Sequence, residues 1–457
     1  MKHGMAADDP LAVLARYPLL DALRDRRSRR FGTGMRIAGP LGHDSRAAPL
    51  RLSEQEEALL AFAACGVTGY ALGDLEYQPG GGGTIMAGLG GRTVPSGDAI
   101  QTVSVFVLNE DATYLLKRPQ DFPAAELPKL AGLARRGEFV ELYRRSRVEL
   151  RHGRPRLPGL DPMYNLAVNR WSLYDPASTY FLPVNELTLL YLNGVLEIFD
   201  PANGVFVVDE RAGFRPAGVG RFARSKGGHL DDDPRHARVL TIQQLEGLVT
   251  EFVTVEQGMV LQNLSLMTQA LGLGGFPHWA AHPFSWLEVL GFRMGRLPAS
   301  RYLGMGRFLA FAARLLGRDP EVDLGLGLEG TDGEPLLVPF CPPYHRSMAD
   351  AVQAVVALKF GTTGIFRGGV RRSAWREPER IAEAAREPSP EAVEATSAYA
   401  EYVHGRYGRF PAYPPPFRTV LGFQAGHVDP EFYDRHYRLE ALSETQRRHR
   451  ELWHPGE

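Results

Sequence analysis

The sequence predicts an α+β fold in which helices dominate and strands are few. Three observations carry this. Residues 242–271 keep apolar side chains at spacings of three and four over about 30 residues, the signature of one long helix. The stretch "AIQTVSVFVLNEDATYLLK" is rich in β-branched residues around a turn at Asn109–Asp111, a hairpin pattern. Beyond residue 300, amphipathic stretches at 305–317, 346–360 and 376–404 alternate with proline-rich loops such as "FPAYPPPF".

Taken in order, residues 10–25 have helical periodicity through Leu11, Leu14, Leu19, Leu20 and Leu23, and run into a cluster of arginines. "LSEQEEALLAFAACG" opens on a capping box, with Ser53 and Glu56 able to satisfy each other's backbone N–H groups, and closes at Gly66. A glycine-rich loop at 80–91 leads to the hairpin, and helices are expected at about 122–147. A second hairpin is expected in "VLEIFDPANGVFVVDE", turning at Asn203-Gly204. The long helix has its own capping box at Thr241 and Gln244, and Gly272 marks its end. Its apolar positions lie on more than one face. Such a helix is expected to be buried widely, in the core or against a second subunit.

The chain has 457 residues, is 44% hydrophobic and 23% charged, and is long enough to bury a large core. Its 52 basic and 53 acidic residues leave a net charge of −1, so no overall field favours nucleic acid or an anionic membrane. Only five of the basic residues are lysines, which GC-rich coding explains without function. Two distant cysteines, Cys65 and Cys341, exclude a disulfide scaffold and a thiolate zinc cluster, and fit a reducing compartment. No secretory leader and no apolar run of spanning length is visible, so a cytoplasmic protein is expected.

Several motifs fail on inspection. The glycine-rich loop lacks a following GK[ST], and no strand–loop–helix order surrounds it, so a flexible surface loop is expected. No GxSxG occurs. His278 and His282 have i,i+4 spacing, but prolines flank them and no glutamate lies between, and packing or site lining is the simpler role. "HLDDDPRH" (229–236) reads as a solvated loop rather than a cation site. No metal site is expected.

The local feature that stands out is "RDRRSRRFG", residues 24–32, where Arg26, Arg27, Arg29 and Arg30 flank Ser28. A hydroxyl among forked guanidinium groups is equipment for holding a phosphate monoester. With it come, in order, the capped helix at 53–66, "RTVPSGDAIQTVSVFVL" and "GMVLQNLSLMTQALGLGGFPHW". Together these resemble the nitroreductase-like family of FMN-dependent oxidoreductases, in particular its azoline-oxidising dehydrogenase branch. The resemblance covers roughly residues 24–110 and 240–292.

The resemblance implies a small central antiparallel sheet surrounded by helices, a long core helix, and a homodimer built on that helix. It implies FMN phosphate binding by Arg26, Arg27 and Ser28, helped by Arg30. Pro95, Ser96 and Gly97 would lie against the flavin held mainly by the partner subunit. Gly275, Phe276, Pro277, His278 and Trp279 would run along the isoalloxazine edge, with His278 the candidate proton donor to substrate. For the late basic pair completing the phosphate site, Arg406 and Arg409 come first and Arg371 and Arg372 second. The pattern departs from the family's in having only two residues between Ser28 and Phe31, which leaves open which arginines face the phosphate.

An FMN-binding domain is thus expected over 1–295, with an insertion at about 118–180, followed by a mainly helical extension over 296–457. The activity implied is hydride transfer through flavin N5. It is either NAD(P)H-dependent reduction of nitro- or quinone-type compounds or dehydrogenation of a biosynthetic intermediate. The competing class is a flavin-less binding or scaffolding protein on the same fold.

Overall fold

The computed structural model describes residues 9–73, 88–156, 177–279 and 283–455. The glycine-rich loop expected at 80–91 falls largely outside them, as does most of the second half of the expected insertion.

The elements that position the site are helix α1 (Leu19–Asp25), helix α2 (Glu54–Cys65), strands β1 (Val103–Leu108), β2 (Ala112–Leu116), β3 (Arg147–His152) and β4 (Thr179–Glu186), the long helix α3 (Ile242–Leu271), strands β5 (Gly274–Trp279) and β6 (Leu421–Gly426), and helices α4 (Pro430–His436) and α5 (Glu444–Trp453). Their strands form one antiparallel sheet in the order β5-β6-β4-β1-β2-β3, with the short strand Phe417–Arg418 also pairing with β4. The hairpin predicted at Asn109 joins β1 to β2, and its turn is closed by the Asn109 Oδ1 atom, which accepts from the backbone N–H of Asp111 and Ala112.

Side-chain alternation along β1 divides the core. Val103, Val105 and Val107 pack on one face with Leu59, Leu60 and Leu264 of helices α2 and α3. Phe106 and Leu108 pack on the other with Tyr180, Trp286 and Leu290. Both capping boxes form, at Ser53/Glu56 and Thr241/Gln244, and Gly272 ends α3 in the left-handed conformation at φ 84°.

Helix α3 carries two apolar faces of different fate. Ile242, Leu245, Val249, Val253, Val260, Leu264 and Leu271 are buried. Leu248, Phe252, Val255 and Met259, spaced four, three and four apart, are 37–55% exposed and form a second stripe along the same helix.

Four expectations are corrected. The helix read over 10–25 is broken into Pro10–Ala15 and α1, because Pro18 cannot continue it. The segment read over 376–404 likewise splits into Pro378–Ala384 and Pro390–Tyr407. The second hairpin is a helix-to-strand corner: "VLEI" ends the helix Thr188–Ile198, and only Phe206–Asp209 is a strand. The last third of the chain is mainly helical but does not stand apart as an extension. It contains the antiparallel strands Arg293–Pro298, Glu321–Glu329 and Pro335–Leu337, and then β6 enters the central sheet between β5 and β4. A boundary near 295 therefore separates β6, Leu421–Gly426, from the central sheet that it completes. No helix among the described residues is long and apolar enough to cross a membrane.

Candidate functional site

The arginine cluster leaves α1 as an extended strap. Arg26 caps the helix at φ −56°, ψ 121°, and the chain then bonds to the segment following β6. Thr33 N–H donates to the His427 carbonyl (3.1 Å), Asp429 N–H donates to the Phe31 carbonyl (3.2 Å), and Phe31 stacks on Phe432 at 4.1 Å. The strap also passes close to β5. A Cβ on Gly274 would stand 3.0 Å from the Arg29 carbonyl and 2.8 Å from Val428, so only glycine lets the two backbones approach this far.

The four arginines separate by role. Arg29 is buried: its Nε donates to the Ala441 carbonyl (2.8 Å) and its Nη1 to Gln269 Oε1 (2.8 Å). Burial pulls its pKa down to about 10. Arg26 is half-buried, while Arg27, Ser28 and Arg30 are exposed. The Arg30 guanidinium lies 4.8 Å from the centroid of the Phe276 ring, a cation–π contact that joins the strap to β5.

Arg27, Ser28, Arg29 and Arg30 line a cavity of about 590 Å³ together with Tyr433, Tyr437, Arg438 and the acidic Glu440. Arg438 is a cation that the sequence reading missed. It stands in "DRHYRLE", more than 400 residues from Ser28, and lines the same cavity. On the other side of the strap, the cleft between Arg30 and Phe276 holds only about 10 Å³, room for about one water and not for a ring.

Arg406 and Arg409 do not reach this cavity in the same chain. Arg406 pairs with Asp209 (3.0 Å) and donates to the Gly304 carbonyl (3.1 Å). Arg409 is buried over the Tyr302 ring (3.2 Å to the centroid) and bonds the Ala412 and Tyr413 carbonyls. The backbone N–H groups of those two residues cap Glu246, near the start of α3. Gln269, the partner of Arg29, is 23 residues further along the same helix, roughly 35 Å at 1.5 Å per residue. Arg371 and Arg372 are exposed, and Arg371 faces Glu379 at 3.4 Å.

Ser96 lies against the middle of α3. Its hydroxyl donates to Glu256 Oε2 (2.8 Å) and accepts from Gln101 N–H (2.9 Å). Glu256 also takes Arg92 (2.6 Å), the Thr102 hydroxyl (2.7 Å) and Val103 N–H (3.1 Å), so the buried carboxylate is fully enclosed by donors. Glu256 and Gln269 are 13 residues apart, about 20 Å along the helix. Pro95, Ser96 and Gly97 are therefore not gathered with Ser28 inside one chain.

The segment expected along the flavin edge, Gly275 to Trp279, is a strand that pairs residue by residue with β6 from Gly275↔Ala425 to Trp279↔Leu421. Pro277 is exposed, whereas His278 is buried, its ring 4.9 Å from Tyr180 and 5.8 Å from Phe276. His278 does not line the Ser28 cavity, and His282 lies outside the described residues. In "HLDDDPRH", Asp231 is taken up by Arg224 and His236, both at 3.0 Å, in keeping with a loop rather than a cation site.

A second constellation was not foreseen. Glu56 of α2, His427 after β6, His449 of α5 and His454 converge, each buried and offering one donor atom, all within 4.8 Å of one another. Burial alone would raise the Glu56 carboxyl, but the imidazoles of His427, His449 and His454 beside it outweigh burial and hold the group well below the usual carboxylate range. The histidines are scattered over "GHVDP", "RRHRE" and "LWHPG", with Glu56 some 370 to 400 residues before them, so no local spacing announces them.

No family model and no curated protein matches the sequence. Among solved structures, a chain from Ralstonia eutropha JMP134, provisionally described as a nitroreductase, aligns over 60% of this chain and 75% of its own. The identity is 14% and the TM-score 0.27, a likeness too loose to transfer any residue's role.

Proposed function

We propose that the chain is a flavin-dependent oxidoreductase that holds the phosphate of FMN at the Ser28 cavity. The observation that supports this is the convergence of Ser28 with Arg27, Arg30 and Arg438 on one concave surface. A phosphate dianion gains several charge-assisted hydrogen bonds there, and Tyr433 and Tyr437 supply flat aromatic walls. The donor set fits the phosphate end of the cofactor. The ring end is not formed by the described residues, since the cleft beside Phe276 is too small. A ring would have to be housed at a subunit interface or after movement of Arg30.

When bound, the flavin accepts and passes hydride, and the protein's share is position and electrostatics. In this reading Arg27, Arg30 and Arg438 neutralise the phosphate, and Arg29 holds the strap. The exposed stripe Leu248, Phe252, Val255 and Met259 favours a homodimer along α3. Reduction of nitro- or quinone-type acceptors by NAD(P)H and dehydrogenation of a biosynthetic intermediate both remain within the proposal.

The experiment is an absorption spectrum of the purified chain after incubation with FMN and desalting, followed by anaerobic NADPH. Retained flavin absorbance supports the proposal, and bleaching by NADPH selects the reductase arm. A colourless protein defeats the proposal in favour of a flavin-less scaffold.

A further inference from the structure

We propose that Glu56, His427, His449 and His454 form a closed, four-coordinate zinc site that ties the C-terminal segment to helix α2. The site is independent of flavin binding.

Four of the six donor–donor separations are close to the edge of a tetrahedron around a small ion, and all six are within 4.8 Å. His449 Nε2 lies 3.0 Å from Glu56 Oε1, His454 Nε2 3.3 Å and His427 Nε2 3.4 Å, and the Nε2 atoms of His427 and His454 are 3.1 Å apart. Zinc bonds of about 2.0–2.2 Å to nitrogen and oxygen require tetrahedral edges of about 3.3 Å. The nitrogen- and oxygen-only donor set and the coordination number of four select zinc over magnesium or calcium, which take six or more oxygens.

The outer shell orients the ligands. His427 Nδ1 is 2.9 Å from the Leu50 carbonyl, and His449 Nδ1 is 2.7 Å from the Leu271 carbonyl. A carbonyl can only accept, so both rings donate from Nδ1 and turn Nε2 toward Glu56, the orientation that metal-bound histidines adopt. On Glu56, Oε2 is taken by the Ser53 N–H (2.6 Å) and the Ser53 hydroxyl (2.8 Å). Oε1 is thereby left to the histidines.

Hydrogen bonding alone accounts poorly for the inner contacts. His449 Nε2, though 3.0 Å from Oε1, is not aligned with it as a hydrogen bond. Three imidazole nitrogens and one carboxylate oxygen crowded into one buried space are a donor set that a shared cation satisfies. Four protein ligands leave no open coordination position, so the site is structural rather than catalytic. It joins the start of α2, the residue following β6 and both ends of the segment 449–454. Because the His427 carbonyl also accepts from Thr33, the ion would stiffen the strap that carries Ser28.

The test uses the full chain, without FMN. Metal analysis after expression in zinc-supplemented medium is expected to give about one zinc per chain. Stripping with a chelator should lower the thermal midpoint, and zinc should restore it. Cobalt(II) should give the intense visible bands of a tetrahedral ion. His454→Ala should weaken zinc binding by more than the roughly 10–100-fold that loss of an outer-shell partner costs. If that variant does not fold, His454→Cys keeps a ligand and should add a sulfur-to-cobalt charge-transfer band. Less than about a tenth of an equivalent of zinc with no response of the midpoint to added zinc would overturn the proposal. So would a weak, octahedral cobalt spectrum, or full zinc retention by His454→Ala. Flavin content is read separately and bears on none of these outcomes.

Discussion

Arg29 Nη1 donates to Gln269 Oε1 at 2.8 Å, and this bond joins the arginine strap to the last turn of the long helix. The most buried arginine of "RRSRR" is thus a strut, while its neighbours face the cavity. Arg29→Met removes charge-assisted bonds to Gln269 and Ala441 and strands two buried acceptors, at a cost of about 2–4 kcal/mol. Arg27 is exposed and bonds only the carbonyls of Arg24 and Arg26, so Arg27→Ala should stay within about 0.5 kcal/mol. Urea denaturation of the two variants decides; equal losses would contradict the division of roles.

Flavin affinity should separate the late arginines. Loss of one charge-assisted bond to phosphate, about 1.5–3 kcal/mol, makes Arg438→Ala roughly 10–100-fold weaker for FMN. Arg406→Ala should leave that affinity unchanged and lower stability instead, since it unpairs the buried Asp209 carboxylate. Quenching of FMN fluorescence and a thermal melt, run on both variants, read the two effects.

The Arg92–Glu256 pair, 2.6 Å and buried, should be costly to break from one side. Glu256→Ala leaves the Arg92 charge unpaired, along with the donors of Ser96, Thr102 and Val103, and is expected to cost about 3–5 kcal/mol. Chemical denaturation against the parent chain measures it. A loss below 1 kcal/mol would mean that water reaches the cluster.

Lys359 makes stability depend on pH. Burial lowers its pKa from 10.5 to about 8, against the pull of Glu197 and Asp98, and its ammonium donates to Asn193 Oδ1 at 3.0 Å. Between about 8 and 10.5 the unfolded chain therefore binds more protons than the folded one, so this group's contribution makes stability rise with pH across that window. Lys359→Met should abolish the rise. Denaturation midpoints of both proteins from pH 7.5 upward form the check, and parallel profiles would refute the assignment.

The stripe on α3 predicts association. Phe252 and Val255 are each 55% exposed, and placing carboxylates there should convert a dimer into monomers with little change in fold. Sedimentation equilibrium on Phe252→Glu/Val255→Glu shows the mass. An unassociated parent chain would remove the dimer from the proposal.

Much of the local structure was legible in the residues. Ser53 with Glu56 and Thr241 with Gln244 announce helix starts because a capping box is a three-residue matter. Gly272 marks its helix end because the left-handed cap favours glycine. The Asn109 turn is likewise closed by its own side chain. Where longer-range packing competes, the reading fails. "VLEI" looks like a strand by composition, yet it ends a helix because Val195 and Leu196 are buried in a core built largely of helices. The C-terminal third reads as helical because β6, six residues long and containing two glycines, has little β signature of its own.

By itself, the sequence determined the helices Glu54–Cys65 and Ile242–Leu271 with their caps, the hairpin turning at Asn109, and that Ser28 sits among guanidinium groups. These depend on neighbours within a few positions. Only the tertiary structure decided that Arg29 turns inward to Gln269, that Arg438 rather than Arg406 joins Ser28, and that Glu56 meets three histidines. Contacts across 240 to 400 residues are set by how the sheet closes around β6, and no spacing along the chain encodes that closure.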